Sequence, residues 1–333
     1  MSPPLADVTF AEATWIMLVK SLVIFGVIFA VLPLLTVLER KLIGRFQHRY
    51  GPNRVGAYGL MQPLADILKL AGKQVFRPDA AVPFLYALGP ALVIFSGITT
   101  LAILPFGDVK DGVGFYGIDV SIGVLYFFAF GSIAFYGLLL SGWSSGSKYS
   151  FLGAMRAAAQ LISYEVAMGL SLLGAIMMSG SLSLVSIVHS QGDVWYVIPQ
   201  FVGFIVFMLA GLAETNRAPF DLPEADAELV QGYQTEYGGT RFASFLLAEY
   251  LEMFVVSGIA VAFFLGGWMG PGPGFLDPFW MLAKILALII VFIWIRATLP
   301  RLRYDQLMTL GWKVLLPLAT LNVLVTAVLV VLT

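Results

Sequence analysis

The stretch WIMLVKSLVIFGVIFAVLPLLTVL, residues 15–38, decides the fold of this chain. Lys20 is its only charged residue. A helix that crosses the hydrocarbon of a bilayer needs about 20 apolar residues, since each residue advances the helix by about 1.5 Å. The stretch is too long for the apolar region of a secretory signal peptide and lacks a small-residue cleavage site. It therefore predicts a first membrane-spanning helix.

Further apolar runs of similar length follow the first one. They lie near residues 84–106, 120–142, 154–179, 193–213, 242–268, 279–299 and 307–332. These runs do not alternate apolar with polar residues, as the strands of a membrane β-barrel would. A helix satisfies its backbone N–H and C=O groups within its own segment, which lipid requires. The sequence thus predicts an all-α, polytopic protein of about eight transmembrane helices, organised as a single membrane domain over residues 1–333.

The composition agrees with the bilayer as solvent. Hydrophobic residues make up 59% of the chain and charged residues 12%. A water-soluble domain of this length with that balance would aggregate. The net charge is −1, and the charges fall in clusters between the apolar runs. No basic face is predicted, which argues against nucleic acid as a partner.

The residue types also limit the chemistry. The chain has 0 cysteines, so it cannot form a disulfide, hold an iron–sulfur cluster by thiolates or attach haem by thioethers. Its histidines, His48 and His189, lie in a basic segment and a polar connector, and we expect both at the surface. No metal-ligand spacing, phosphate-binding loop or nucleophile motif occurs. Any electron carrier must therefore lie on another protein.

Basic residues indicate the orientation. The connector after the first span carries Arg40, Lys41, Arg45, Arg49, Arg54, Lys69, Lys73 and Arg77. The connectors of the opposite side hold only Lys110. The positive-inside rule places the basic side in the cytoplasm and both termini outside, in agreement with an even number of spans.

The same connector contains an amphipathic pattern at residues 60–76. Its apolar residues recur at helical spacing, while Asp66, Lys69 and Lys73 share another face. The pattern predicts a helix that lies in the cytoplasmic interface of the membrane. On the pattern alone, membrane anchoring is the simplest interpretation.

Carboxylates within the spans are costly in lipid and therefore informative. Glu165 lies within the fourth span, and Glu249 and Glu252 lie one turn apart on the sixth. Glu39 closes the first span and Glu214 the fifth. Half-buried carboxylates suit proton transfer, because burial brings their pKa values toward neutrality. As an alternative, each protonated carboxyl group holds two helices together by a hydrogen bond.

The connector ETNRAPFDLPEADAELVQGYQTEYGGTR, residues 214–241, is acidic although it lies on the predicted cytoplasmic side. A solvated loop is one interpretation, since acidic residues weigh little in orientation. Apolar side chains interrupt the charges and predict instead that the connector folds against another surface. They are Phe220, Leu222, Leu229, Val230, Tyr233 and Tyr237.

Five blocks of the chain together resemble the quinone-chamber (heel) subunit of bacterial respiratory complex I, the NADH-quinone oxidoreductase. They are ERKLIGRFQHRYGPNRVGAYGLMQPLADILKL (39–70), GSKYSFLGAMRAAAQLISYE (146–165), the acidic connector, FLLAEY (245–250) and IRATLPRLRYDQLM (295–308). The resemblance implies a membrane subunit that docks the iron–sulfur subunits on its cytoplasmic side and borders small membrane subunits. It implies quinone as substrate, with flavin and iron–sulfur clusters on partner subunits, and an interfacial helix that frames the quinone entrance.

The resemblance also assigns residues. The quinone-binding positions would be Arg40, Arg49, Asp66, Lys69, Phe220, Arg296 and Arg301. The carboxylates that carry protonation changes would be Glu39, Glu165, Glu214, Glu224, Asp226, Glu228 and Glu249. Asp226 departs from the glutamate that the family commonly has, which puts its reach in doubt. His48 replaces an often aliphatic residue.

Three other functions stay open at this stage. A subunit of a hydrogenase-like or formate- or ferredoxin-driven relative would share ancestry without quinone binding. A secondary transporter would have helices broken at matching positions of two halves, which the sequence lacks. A passive anchor for redox subunits would not need Glu165 or Glu249. With no transit sequence evident, we expect the inner membrane of a bacterium.

Overall fold

The computed structural model describes residues 10–110, 113–223 and 229–332 of the chain. Helices are the main secondary structure of these ranges, with one short hairpin as the exception, and the all-α prediction is confirmed. The helices are α1 (Phe10–Phe46), α2 (Gln62–Gly72), α3 (Pro83–Leu101), α4 (Gly123–Ser144), α5 (Lys148–Ser179), α6 (Leu184–His189), α7 (Phe201–Glu214), α8 (Gly239–Phe264), α9 (Asp277–Thr298) and α10 (Tyr304–Leu332). Within α10, Leu310–Leu315 form a π-helical segment.

Of the described helices, 7 are long and apolar enough to cross a membrane, namely α1, α3, α4, α5, α8, α9 and α10. The chain is therefore a multi-pass membrane protein. Helix α7 is apolar but has only 14 residues. At 1.5 Å per residue it measures about 21 Å, less than the hydrocarbon thickness of about 30 Å.

The predicted fifth span, 193–213, begins too early, because its helix starts at Phe201. Pro199 has no backbone N–H and disfavours helical geometry in the residue before it. The preceding segment folds across the C-terminal end of α8, where the Val197 N–H donates to the Phe264 carbonyl oxygen at 2.8 Å. The first part of that predicted span is thus a bent connector.

The predicted second span, 84–106, also ends early. Helix α3 stops at Leu101, and the chain then forms strands β1 (Pro105–Lys110) and β2 (Val113–Tyr116), which pair antiparallel. Proline is tolerated at the first residue of a strand, where no ladder hydrogen bond from its nitrogen is needed. The hairpin packs against α1, α6 and α9 on the side that we predict to face outward.

Helix α2 is the predicted interfacial helix, although it is shorter than 60–76. It packs against α1 and α8. The side chains of Leu64, Ile67 and Leu68 are half or more exposed, which is typical of a helix that turns an apolar face to lipid.

Helices α5 and α8 form the centre of the molecule. Helix α5 packs against α4, α7 and α10, and α8 packs against α3 and α9. Every residue of α8 over 253–264 is buried. A helix that is apolar on all sides belongs inside a bundle, and Glu249 and Glu252, just before this segment, are half-buried.

Candidate functional site

Two arginines meet one buried carboxylate near the C-terminal end of α1. Glu39 is 2% exposed, and its Oε2 accepts a hydrogen bond from Nη1 of Arg217 at 2.6 Å. Arg296, at the end of α9, also donates to Glu39 through Nη1. Charges buried in this way are stable only when they are paired and hydrogen-bonded. Glu39 therefore joins α1, α9 and the connector after α7.

Arg217 is the centre of this group. Its guanidinium carbon lies 4.3 Å from the ring centroid of Tyr250 on α8, a cation–π distance. Burial acts to lower the pKa of Arg217, but the negative charge of Glu39, the nearby Tyr250 and Glu249 and the hydrogen bond to Glu39 together outweigh burial, and the pKa is raised above its ordinary value. The cation is thereby fixed at the boundary between the connector and α8.

A second charged group joins α1 to α2. Arg40 Nη1 donates to Asp66 Oδ2 at 2.7 Å, Gln62 Nε2 donates to Asp66 Oδ1 at 3.2 Å, and Lys69 Nζ lies 3.6 Å from Oδ1. Burial acts to raise the pKa of Asp66. The hydrogen bonds from Arg40 and Gln62, with the charges of Arg40 and Lys69, outweigh it, so the pKa is lowered.

A cleft of about 170 Å³ lies between α1, α2 and α8. We call it the α2 cleft. Its walls are mostly apolar, with Leu32 on α1, Ile67 on α2 and Leu247 on α8. Arg40 and Asp66 lie at its rim, and Tyr250, which contacts Arg217, lines it from α8. An apolar pocket with a few polar groups suits an apolar ligand that has a polar head.

The acidic connector folds against the bundle, as its apolar residues predict. Phe220, Leu222, Leu229, Tyr233 and Tyr237 are all buried, and only Val230 is exposed. From this connector, Gln234 Nε2 donates to Glu249 Oε1 at 3.0 Å, and the Tyr233 hydroxyl lies 3.4 Å from the same oxygen. The connector therefore contacts a carboxylate of α8 directly.

Three carboxylates line a small, partly open cavity between the helices. Glu165 on α5, Glu214 on α7 and Glu252 on α8 surround a volume of about 30 Å³, which is enough for a water molecule. We call it the carboxylate cavity. Among the described residues, Oε2 of Glu214 is buried without a hydrogen-bond partner. Ser132 on α4 lies 2.7 Å from Glu165.

Glu249 lies between the arginine group and the carboxylate cavity. It is close enough to interact electrostatically with Arg217 on one side and with Glu252 on the other. Glu252 in turn interacts with Glu214, which interacts with Glu165. Ionisable groups thus follow one another from the α2 cleft to the carboxylate cavity, and we call them the series of charged groups after the arginines and carboxylates that form it.

The remaining predicted residues are more dispersed. Arg49 shares a surface pocket of about 430 Å³ with Arg40. Arg301 lies 3.9 Å from Asp221. Phe220 is 2% exposed, and its ring centroid lies 5.9 Å from that of Tyr164 on α5.

The other predicted carboxylates of the connector, Glu224, Asp226 and Glu228, lie outside the described residues.

The resemblance did not assign a role to four residues that the structure places in this series. Glu252 had a signal, because it shares a helix face with Glu249. Arg217 is one of two cations in an acidic connector, which was a weaker signal. Tyr250 and Gln234 had none, since their contacts come from segments that are remote in the chain.

Metal chemistry has no support in the described residues, where no group of three His, Cys, Asp or Glu side chains is arranged to hold an ion. His48 and His189 both lie at the surface, as predicted.

These features define a class of protein. It is a multi-pass helical membrane protein in which ionisable residues connect the α2 cleft to the carboxylate cavity. Comparison with known proteins then gives the particular family. The chain belongs to the NADH dehydrogenase family, whose model matches residues 19–327.

Its relatives are the proteins that the motifs predict. The chain is 49% identical over 314 residues to the first H subunit of the NADH-quinone oxidoreductase of Geobacter metallireducens, covering 93% of this chain and 94% of the relative. It is 50% identical over 312 residues to the second H subunit of the same enzyme in Geobacter sulfurreducens, covering 92% and 94%. It is 46% identical over 297 residues to the H subunit of Protochlamydia amoebophila, covering 88% and 91%. The family is thus that of a membrane subunit of complex I.

Proposed function

We propose that this chain forms the membrane-side wall of the quinone-reduction site of an NADH-quinone oxidoreductase and transmits quinone reduction to proton translocation. The observation that carries the proposal is the series of charged groups between the α2 cleft and the carboxylate cavity. Arg217 connects the two ends of this series, since it contacts Tyr250 of the cleft, pairs with Glu39 and interacts with Glu249.

The α2 cleft is the proposed quinone entrance. Its apolar walls suit an isoprenoid tail, and Arg40 and Asp66 stand where a polar head would pass. The other proposed quinone-binding residues lie outside the cleft, and we assign them to the quinone site from the resemblance alone. They are Arg49, Lys69, Phe220, Arg296 and Arg301.

The proposed mechanism begins with the electrons, which reach quinone from an iron–sulfur cluster of a partner subunit. A quinone becomes a quinol by taking up two electrons and two protons, so the groups beside the head that give up these protons change their charge next to the arginine group. Because Arg217 interacts with both Glu39 and Glu249, that change alters the balance of protonation along Glu249, Glu252, Glu214 and Glu165. This change in protonation passes to neighbouring membrane subunits together with a conformational change.

The proposed partners and location follow from the family and from the charges. The basic connector after α1 and the connector after α7 would meet the iron–sulfur subunits on the cytoplasmic side, and small membrane subunits and lipid would cover the spans. A bacterial inner membrane with both termini outside is the proposed setting, in which the short helix α7 and the bent segment before it together make the eighth crossing.

The experiment compares Glu249→Gln and Glu165→Gln in the assembled complex. Each change keeps the size of the side chain and removes its titration. We expect NADH-driven proton translocation in sealed vesicles to fall at least about 100-fold in rate, the lower end of what a positioned proton-transfer group contributes, while flavin and iron–sulfur subunits still co-purify. Glu236→Gln, at a half-buried position of the connector outside this series, serves as the control.

Other results point to other functions. Normal pumping by both variants would contradict the relay and favour a passive anchor. Co-purified redox subunits without inhibitor-sensitive NADH–quinone activity would favour the hydrogenase-like relative, and a chain that purifies alone would favour a transporter.

A further inference from the structure

Ser132 on α4 makes two short contacts with its single hydroxyl group. Its Oγ lies 2.7 Å from Oε1 of Glu165 and 2.8 Å from the carbonyl oxygen of Phe128, one turn earlier on α4. Both distances are those of normal O–H···O hydrogen bonds. The side chain also lines the carboxylate cavity.

The number of hydrogens decides how these contacts are made. A serine hydroxyl has one hydrogen, and a backbone carbonyl oxygen only accepts. If Glu165 were ionised it would also only accept, so the two contacts would have to share the single hydroxyl hydrogen. If Glu165 is protonated, it donates to Ser132, and Ser132 donates to Phe128. Only the protonated state gives each contact a hydrogen of its own.

We propose that Ser132 is a positioning residue for Glu165, whose hydroxyl turns from the Phe128 carbonyl to the Glu165 carboxylate when Glu165 loses its proton. This inference rests on the proposed proton-coupling function. The arrangement in the structure is the one in which Glu165 holds its proton.

This step neither creates nor loses a proton. One proton leaves Glu165 and binds the carboxylate of Glu214 or Glu252 across the carboxylate cavity, directly or through a water molecule. Ser132 keeps its own proton and only changes the acceptor. The Phe128 carbonyl retains the hydrogen bond that a helix gives it from the backbone N–H of Ser132.

The benefit of the rotation comes from the surroundings. An ionised carboxylate without a donor is costly in the membrane interior. A hydroxyl that becomes a donor at the moment of ionisation lowers that cost. Among the described residues lining the cavity, Thr100 has the other hydroxyl, and it is used on its own helix, 2.9 Å from the Ser96 carbonyl oxygen. Ser132 is therefore the group placed to respond to Glu165.

Infrared difference spectroscopy of the assembled complex, oxidised minus quinone-reduced, tests the proposal. The protonated carboxyl C=O band that disappears in Glu165→Gln identifies Glu165. In Ser132→Ala we expect this band to shift to higher frequency, because the carboxyl group has lost its hydrogen bond, and coupled proton translocation to slow. Ser132→Thr keeps a hydroxyl group, so its carboxyl C=O band position and its rate of proton translocation should match those of the wild type.

Ser257→Ala is the matched control. Ser257 on α8 makes the same kind of contact, 2.8 Å to the Met253 carbonyl oxygen. Among the described residues, no carboxylate forms a hydrogen bond with it. The Ser257→Ala substitution should leave the frequency of the Glu165 carboxyl band unchanged. If the band is absent in the wild type, or stays unshifted in Ser132→Ala, the proposal is overturned. Normal pumping by Glu165→Gln, with the band shift present, would instead overturn the proposed function.

Discussion

At the scale of single residues, the pairing of Glu39 is the feature most sensitive to substitution. Its carboxylate is almost completely buried, and so is Arg217, with 6% exposed. Arg296 differs, because 41% of its side chain is exposed. Water can replace the hydrogen bonds of Arg296 more easily than those of Arg217. The two arginines are therefore unequal partners of the same carboxylate.

We expect Arg217→Leu to lower the free energy of unfolding by about 3–5 kcal/mol, because it leaves Glu39 with one buried partner fewer. Arg296→Gln should cost clearly less, since exposed pairs contribute about 0–1 kcal/mol. The purified complex is heated in steps, and the fraction that still elutes intact on gel filtration gives a thermal unfolding curve. The shift of this curve is compared between the two variants. Equal losses for the two variants would contradict this ranking.

At the scale of elements, the docking of α2 on α1 depends on Asp66. The pKa of Asp66 is lowered in the folded chain, because the hydrogen bonds of Arg40 and Gln62 and the charges of Arg40 and Lys69 outweigh the effect of burial. A group with a lowered pKa contributes stability above its unfolded pKa, about 3.9 for aspartate, and loses it as the pH falls through the folded value. The docking should therefore be intact at neutral pH.

We expect a spin label on the exposed face of α2, at Leu68, to become more mobile only as the pH is lowered below about 4. The pair is partly exposed, so the change should correspond to no more than about 1 kcal/mol. In Asp66→Asn the label should be mobile to the same degree at every pH. A mobility change that persists in Asp66→Asn would assign the transition to another group.

At the scale of the whole molecule, the topology links the charges to the two sides of the membrane. The basic connector after α1 and the acidic connector after α7 lie at the same end of the bundle, because Glu39 pairs with Arg217. The hairpin between α3 and α4 lies at the other end. The series of charged groups therefore enters the bundle from the predicted cytoplasmic side only.

We expect a membrane-impermeant maleimide to label Val194→Cys in intact cells and Tyr58→Cys only after the membrane is opened and the complex dissociated. Both positions are exposed, at 50% and 77%, and the chain has 0 cysteines of its own to react. Labelling of the tagged chain is read on a gel. Labelling of Tyr58→Cys in intact cells would reverse the proposed orientation.

The sequence by itself determined the fold class, because the length and hydropathy of a spanning helix are local properties that lipid imposes segment by segment. It also placed Glu249 and Glu252 on one helix face and predicted the interfacial helix. It did not determine the late start of α7 or the hairpin after α3, since both depend on contacts with distant parts of the chain.

Only the tertiary structure decided which side chains meet. Arg217 lies far along the chain from Glu39, and no pattern marks them as partners. The same holds for Ser132 and Glu165, which lie on different helices. Hydropathy specifies that a segment is buried in the membrane, but the rotation and approach of each helix are set by packing against its neighbours. The chemistry of the site resides in those contacts.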